Sequence, residues 1–419
     1  MEQTSQKNSL YTYLLCFAIV VSTLNNFELT FISWVMVFLV SFSFKYSAQF
    51  LSLCLSAILI LVIGIISSFF NSNPLYETIR DITYLSKPLI GLFLGYQIVK
   101  KKDFDVLKAF IYAGVVLAII HFSKLFYGVL FLKIYNIHEL RHIGGYFNDF
   151  EIYSLVLLIF YRKLHINFSQ KNRLILLAVL ATSSLLYFAR INIIQFFILY
   201  VALAGYLKLT KKSLLVLTSI SVVVLLSYSA IYISNPNRNS KGFEAFLYKI
   251  KIAPIEPFKT KINKEDWKDF NDNYRSFENI LTVKQVTNDG FLTILFGKGC
   301  GSTIKLGRQV FTNDGEFISK VPILHNSYMT IFLKSGAFGV MLLIIFIVTL
   351  IKQKPKIRNQ DITNIHYILV GTAFFLVLSN WVFMGIYFKV DNKSILIGAL
   401  YAYRENLIKS YRLLIAKES

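Results

Sequence analysis

Apolar blocks of roughly 15 to 22 residues recur along almost the whole chain, with short polar breaks between them. A helix of that length spans most of a hydrocarbon layer about 30 Å thick. The pattern therefore predicts repeated membrane crossing, with spans at residues 10–24, 29–44, 51–70, 83–99, 109–126, 150–161, 174–188, 191–207, 213–233, 336–351, 365–387 and 394–403. The blocks at 150–161 and 394–403 are short, so the expectation is about 12 transmembrane helices, within a range of 10–12. The first block is read as a span and not as a cleaved signal. No small-residue cleavage site follows it, and the next apolar block arrives at once.

One stretch breaks the pattern. Residues 234–324 mix acidic side chains (Glu265, Asp266, Asp269, Asp272), aromatic ones (Trp267, Phe270, Tyr274, Phe277) and a glycine cluster (Gly297, Gly299, Gly301). Its length argues for function, and its aromatic content predicts a small, partly helical cap, not a disordered tail. The expected organisation is nine helices in 1–233, a cap loop in 234–335, and three more helices with a tail in 336–419.

Composition agrees with lipid as the solvent. Of 419 residues, 55% are hydrophobic, more than a single soluble core would bury. The net charge of +21 raises the question of nucleic acid. The basic residues, however, sit in short clusters between apolar blocks and form no basic face, so no nucleic-acid partner is expected. With a cytoplasmic N-terminus, alternate loops hold Lys100, Lys101 and Lys102; Arg162, Lys163, Lys171 and Arg173; Lys208, Lys211 and Lys212; Lys352, Lys354, Lys356 and Arg358. The tail adds Arg404, Lys409, Arg412 and Lys417. The positive-inside rule then predicts that both termini are cytoplasmic and that 234–324 lies on the outer face. Cys16 and Cys54 lie inside apolar blocks and Cys300 is alone in the loop, which offers neither a disulfide framework nor a zinc site.

On this topology four polar groups fall at the outer surface. Arg190 alone separates two apolar blocks, and it either snorkels to lipid phosphate or faces a ligand. Arg141-His142-Ile143-Gly144-Gly145-Tyr146-Phe147-Asn148 precedes a span; its glycines permit close approach to a ligand or supply a re-entry turn. Residues from Arg275 to Gly301 contain Arg275-Ser276-Phe277-Glu278 and a glycine-rich turn that lacks the spacing of a nucleotide phosphate loop. Finally, His325 follows Pro322 and precedes Asn326 and Ser327, either of which is a natural helix cap. The positive end of a helix dipole favours a neutral imidazole, the form a general base needs. The alternative is a surface histidine packed at the membrane edge. Lys87, next to Pro88 in the outer half of a span, snorkels outward or adds positive charge to the same site. His121 is expected to be buried within the span at 109–126.

The order of these groups resembles the O-antigen ligase and polymerase superfamily, membrane glycosyltransferases that use undecaprenyl-pyrophosphate-linked glycans. The resemblance covers the region from Arg141 to Ile351. It rests on Arg141, Gly144 and Asn148; on Arg190 opening a span; on Arg275 and Glu278 in the long loop; on the Phe-Gly-x-Gly-x-Gly turn; and on His325, Asn326 and Tyr328 followed by Gly336 and Gly339. It implies an all-α polytopic membrane protein with a C-type glycosyltransferase-like fold, in the bacterial inner membrane. It also implies a polymerase that transfers lipid-linked glycan to an acceptor sugar hydroxyl on the periplasmic face, with inversion.

In that scheme His325 and Arg190 are catalytic. Arg141, Arg275, Lys87, Asn326 and Tyr328 bind pyrophosphate or glycan. No metal or other cofactor is expected, because arginine can neutralise pyrophosphate through bidentate hydrogen bonds. The implied partners are the lipid-linked oligosaccharide donor, a glycan or lipid A core acceptor, the bilayer and a chain-length regulator protein. Three alternatives remain at this point: a ligase that passes the glycan to lipid A core, a flippase for lipid-linked oligosaccharide, and a structural or regulatory membrane partner. A flippase would favour internal repeats and polar residues at the midplane, which the sequence does not display.

Overall fold

The computed structural model describes the chain apart from Met1, Phe44, Lys102, Asp103, Phe147, Lys208, Leu209, Asn239, Lys241, Gly242, Lys264, residues 312–316, Pro355, Lys356, Arg358, Met384, Phe388, Val390 and Ser419; at 2–9, Lys101, His138, Pro257, Trp267, Lys417 and Glu418 only the main chain is described. Phe147 of the Arg141 to Asn148 segment and the loop cations Lys102, Lys208, Lys356 and Arg358 thus lie outside the described residues.

The described chain is nearly all helical. In order come α1 (Glu2–Val20), α2 (Phe27–Val40), α3 (Ala48–Phe70), α4 (Leu75–Lys101), α5 (Val106–Leu130), α6 (Ile137–Gly144), α7 (Asp149–Ile159), α8 (Gln170–Leu186), α9 (Arg190–Ala204) and α10 (Lys211–Ser234). These are followed by α11 (Phe243–Ile252), α12 (Trp267–Asp272), α13 (Tyr274–Asn288), α14 (Phe291–Phe296), the strands β1 (Ile304–Phe311) and β2 (Phe317–Val321), then α15 (Ser327–Lys352), α16 (Gln360–Val382) and α17 (Lys393–Glu418). Side-chain caps set many of the helix starts. Asn26, Asp105, Asn148, Ser169, Thr210 and Asn359 each accept a first-turn N–H.

Each of the 12 predicted spans falls largely on helix, but among the described residues six helices are long and apolar enough to cross a membrane by themselves: α3, α4, α5, α10, α15 and α16. Shorter apolar helices occur at Leu10–Leu24, Phe27–Val40 and Arg190–Ala204. At 11 residues, α7 rises only about 16 Å. By contrast α17 runs for 26 residues, well past the predicted end at 403. The fold is that of a polytopic membrane protein, and the number of crossings is not fixed at 12.

The chain divides into two compact units. The first comprises Met1–Val62, Arg80–Ala204 and Met341–Ser419. Within it α5 packs against α1, α6, α7 and α8, while α9 packs on α7 and α16. Small residues bring backbones close, as lipid-embedded helices require. A Cβ at Gly95 would sit 2.1 Å from the Ile395 carbonyl oxygen, and one at Gly398 would sit 2.0 Å from that of Leu92, so α4 and α17 cross where neither has a side chain.

The second unit comprises Ile63–Ile79 and Gly205–Val340, and so adds α10 and the turn between α3 and α4 to the predicted cap. None of the apolar window of α10 is buried, which leaves its apolar side chains to lipid, and α11 packs beside it, with the Tyr228 hydroxyl donating to the Lys251 carbonyl. The cap has its own core of Phe270, Phe277, Val286, Ile304, Leu306, Val310, Val321, Leu324 and Leu333. Tyr274, Phe277 and Leu281 share one face of α13 at helical spacing, and Val286 is buried in the same core. Against it lies an antiparallel hairpin, β1 with β2, paired at Ile304 with Val321 and at Phe311 with Phe317. That hairpin is the non-helical element the sequence reading missed. Gly336, at φ 64°, interrupts α15 nine residues from its start, where a Cβ would meet the Leu295 carbonyl oxygen at 2.3 Å.

Candidate functional site

In the second unit the predicted residues gather around the start of α15. Asn326 is its cap: Oδ1 accepts from Tyr328 N at 2.9 Å and Met329 N at 3.3 Å. The residue before the cap is His325. Its backbone N–H and its Nδ1 both lie 3.0 Å from Oε2 of Glu278 on α13. The Glu278 side chain is 1% exposed and that of His325 is 44% exposed, so a buried carboxylate holds a half-open imidazole. A carboxylate can only accept, so a neutral imidazole in this contact carries its proton on Nδ1 and has its lone pair on Nε2. The Tyr274 ring meets the imidazole edge-on at 5.7 Å and 89°. Burial and then the charge of Glu278 push the Tyr274 hydroxyl pKa well up, which keeps it a neutral donor.

Arg275, one residue along α13, pairs with Glu256 at 3.1 Å, and Ser276 Oγ donates to the Glu256 carbonyl. Part of its charge is thus already compensated. The acidic residues of the cap are also engaged. Arg238 reaches Asp266 and Asp272 at 3.3 Å each, Lys249 pairs with Asp272, and Lys259 pairs with Asp269 at 2.5 Å. The glycine-rich turn serves packing. Gly297, Gly299 and Gly301 all have positive φ, and a Cβ on Gly299 would stand 2.3 Å from Ser68 N.

In the first unit the structure brings the Arg141 segment and the Arg190 turn together. Gly144 ends α6 against the His121 ring, and a Cβ on Gly145 would contact Tyr187 at 3.7 Å. These glycines thus serve a turn and close packing. Tyr187 stacks on His121 with centroids 3.7 Å apart and donates to Glu151 at 2.9 Å, while His121 Nδ1 meets Ser183 Oγ at 2.8 Å. Sequence reasoning named His121 as buried but found it no partner. Phe188 at φ 46° turns the chain so that Arg190 opens α9. The Arg141 guanidinium lies 5.7 Å from the Tyr146 ring centroid.

Lys87 does not snorkel. It is 3% exposed, its Nζ donates to the carbonyls of Lys389 and Asp391, the latter at 3.1 Å, and it lies 4.8 Å from the Trp34 ring centroid. It thereby ties α4 to the segment before α17. Beside it Lys393 pairs with both Asp149 and Asp391. This network and the role of Glu278 escaped the sequence reading. Glu278 did leave a signal, since a carboxylate falls four residues after Tyr274 on the apolar stripe of α13.

Compared with known proteins, the chain matches no family model and no curated protein.

Proposed function

We propose that this chain is a membrane glycosyltransferase of the O-antigen polymerase and ligase kind, with polymerisation of lipid-linked repeats as its reaction. The observation that supports this best is the His325 and Glu278 pair. A general base needs a lone pair directed away from its support and a partner that fixes its tautomer. Glu278 supplies the second through two hydrogen bonds, and exposure of the imidazole supplies the first. His325 Nε2 takes the proton from an acceptor sugar hydroxyl. The hydroxyl oxygen attacks the anomeric carbon, the bond from that carbon to the pyrophosphate oxygen breaks, and the configuration inverts. Within the second unit Arg275 is shared between Glu256 and substrate, with Tyr328 and Asn326 beside the glycan; the resemblance assigns the donor pyrophosphate to Arg190 and Arg141 of the first unit.

The side of the membrane and the identity of the acceptor belong to the proposal as well. The site faces away from the cytoplasm, where an activated lipid-linked donor supplies the energy. The test is to incubate purified protein with undecaprenyl-pyrophosphate-linked repeats. Longer lipid-linked chains, lost in His325→Ala, are expected. Products that form only when lipid A core is added would replace polymerase by ligase, and normal polymer from His325→Ala would end the enzymatic reading.

A further inference from the structure

A different part of the second unit, outside the His325 site, presents an apolar surface. The six-residue helix α14 is bounded by Gly290 and Gly297, at φ 102° and 77°, and its sequence Phe291-Leu292-Thr293-Ile294-Leu295-Phe296 carries no charge. Its exit is clamped to two longer helices. Ser67 Oγ of α3 donates to the Phe296 carbonyl at 2.8 Å, and Lys298 N donates to the Leu333 carbonyl of α15 at 2.7 Å. The turn between α3 and α4 joins the clamp through Asn73 Nδ2, 2.7 Å from the Lys298 carbonyl oxygen. The Phe296 ring lies 5.2 Å from that of Phe338, just past the Gly336 break.

Phe291 and Leu292 face outward from this clamp. The end of α3 and the start of α4 add Phe69, Phe70, Leu75 and Tyr76, and all six side chains are 70 to 83% exposed. Large apolar side chains exposed to this degree need an occupant. Here they continue the surface of α3, a 23-residue apolar helix without a charged residue. The first charges on either side of α14, Asp289 and Lys298, pair with each other.

We propose that α14 is an interfacial helix, seated in the headgroup boundary of the leaflet in which α3 ends, and that the partner of this face is the lipid surface. Aromatic side chains are favoured at that boundary, and a short apolar helix can lie in its plane. Gly336 then marks the bilayer edge, and the nine residues from Ser327 to Ser335 carry His325 about 14 Å above it.

Spin labels test this on the full-length protein in lipid nanodiscs. In a Cys16→Ala background the remaining thiols, Cys54 and Cys300, are buried. Single labels are placed through Leu292→Cys, Phe70→Cys and, on the hairpin, Phe317→Cys, and collisions are measured with oxygen and with a water-soluble nickel chelate. The ratio of oxygen to nickel collisions is expected to be alike at 292 and 70 and several-fold higher than at 317. Nickel access at 292 equal to that at 317 overturns the proposal. So does shielding of 292 from both reagents, because protein, such as a second copy of the chain, would then cover the face.

Discussion

Each unit buries a carboxylate against a basic side chain, and the two do so differently. In the first, Lys393 lies between Asp149 and Asp391, and none of the three side chains is more than 6% exposed. In the second, Glu278 is as buried as those groups, but His325 is 44% exposed. A closed network leaves no charged group open to solvent or substrate and holds helices in register. A half-open pair commits one face and leaves the other for a substrate. Burial of the partner, more than the presence of a charge pair, separates a joint from a candidate catalytic group.

The largest effect is expected when the closed network is broken. Lys393→Met leaves two carboxylates uncompensated in an apolar interior, which costs about 3–5 kcal/mol. Thermal unfolding in detergent reads this directly, and a melting temperature equal to wild type would dissolve the contrast. His325→Gln is the reciprocal case. It should melt with wild type while transfer falls by about 10²–10⁴, the usual contribution of a general base. A smaller loss of stability, about 1–3 kcal/mol, is expected from Gly299→Ala, which forces a Cβ against the Ser68 backbone at positive φ. Protease nicking of the cap at fixed time would report it.

Glu278→Gln sharpens the comparison further. It keeps shape but removes the charge that orients the ring, at about 1–3 kcal/mol in the transfer step. Its effect should appear in the maximal rate and its pH profile, with KM little changed. The smallest effect concerns the exposed ion pairs of the cap. Hydrogen bonds from Asp269 N, and less from Lys268 N and Arg238, hold the Asp266 carboxyl below its usual range. Burial would raise Asp269, but Lys259 and the Asn263 N–H outweigh it. Depressed carboxylates stabilise the fold above the unfolded value of about 3.9, and this stability is lost as pH falls through the folded values. Hydrogen exchange at Asp266 to Asp272, taken relative to the intrinsic amide rate at each pH, should therefore stay flat from neutral pH down to about pH 4 and rise only below it. A rise already near neutrality would contradict this.

The helices were legible because apolar blocks and polar breaks are local signals. The cap was legible as a folded region from its aromatics, and a helix cap at Asn326 or Ser327 from their place before an apolar run, of which the structure selects Asn326. The hairpin was not, since Gly307 and Arg308 interrupt the alternation of β1. His325 and Glu278 lie 47 positions apart, and Asp149 and Lys393 lie 244 apart. No periodicity encodes such pairings, which depend on how helices pack. Lys87 makes the same point. An amine beside a proline in a span reads as snorkelling until the neighbouring carbonyls are in view.

Lys334 shows what the glycine-rich turn implies for the making of this protein. Its ammonium lies in α15, 1% exposed, and donates to the carbonyl of Ser302, while the Gly299 N–H donates back to the Lys334 carbonyl at 3.1 Å. A lysine entering a bilayer on a bare helix carries a penalty of about 2.5–3.5 kcal/mol at the helix centre. Its acceptor is synthesised 32 residues earlier. The order of the chain thus supplies the acceptor before the charge, and in the folded state the first turns of α15 rest on the preceding turn, so that the ammonium meets a carbonyl and not lipid.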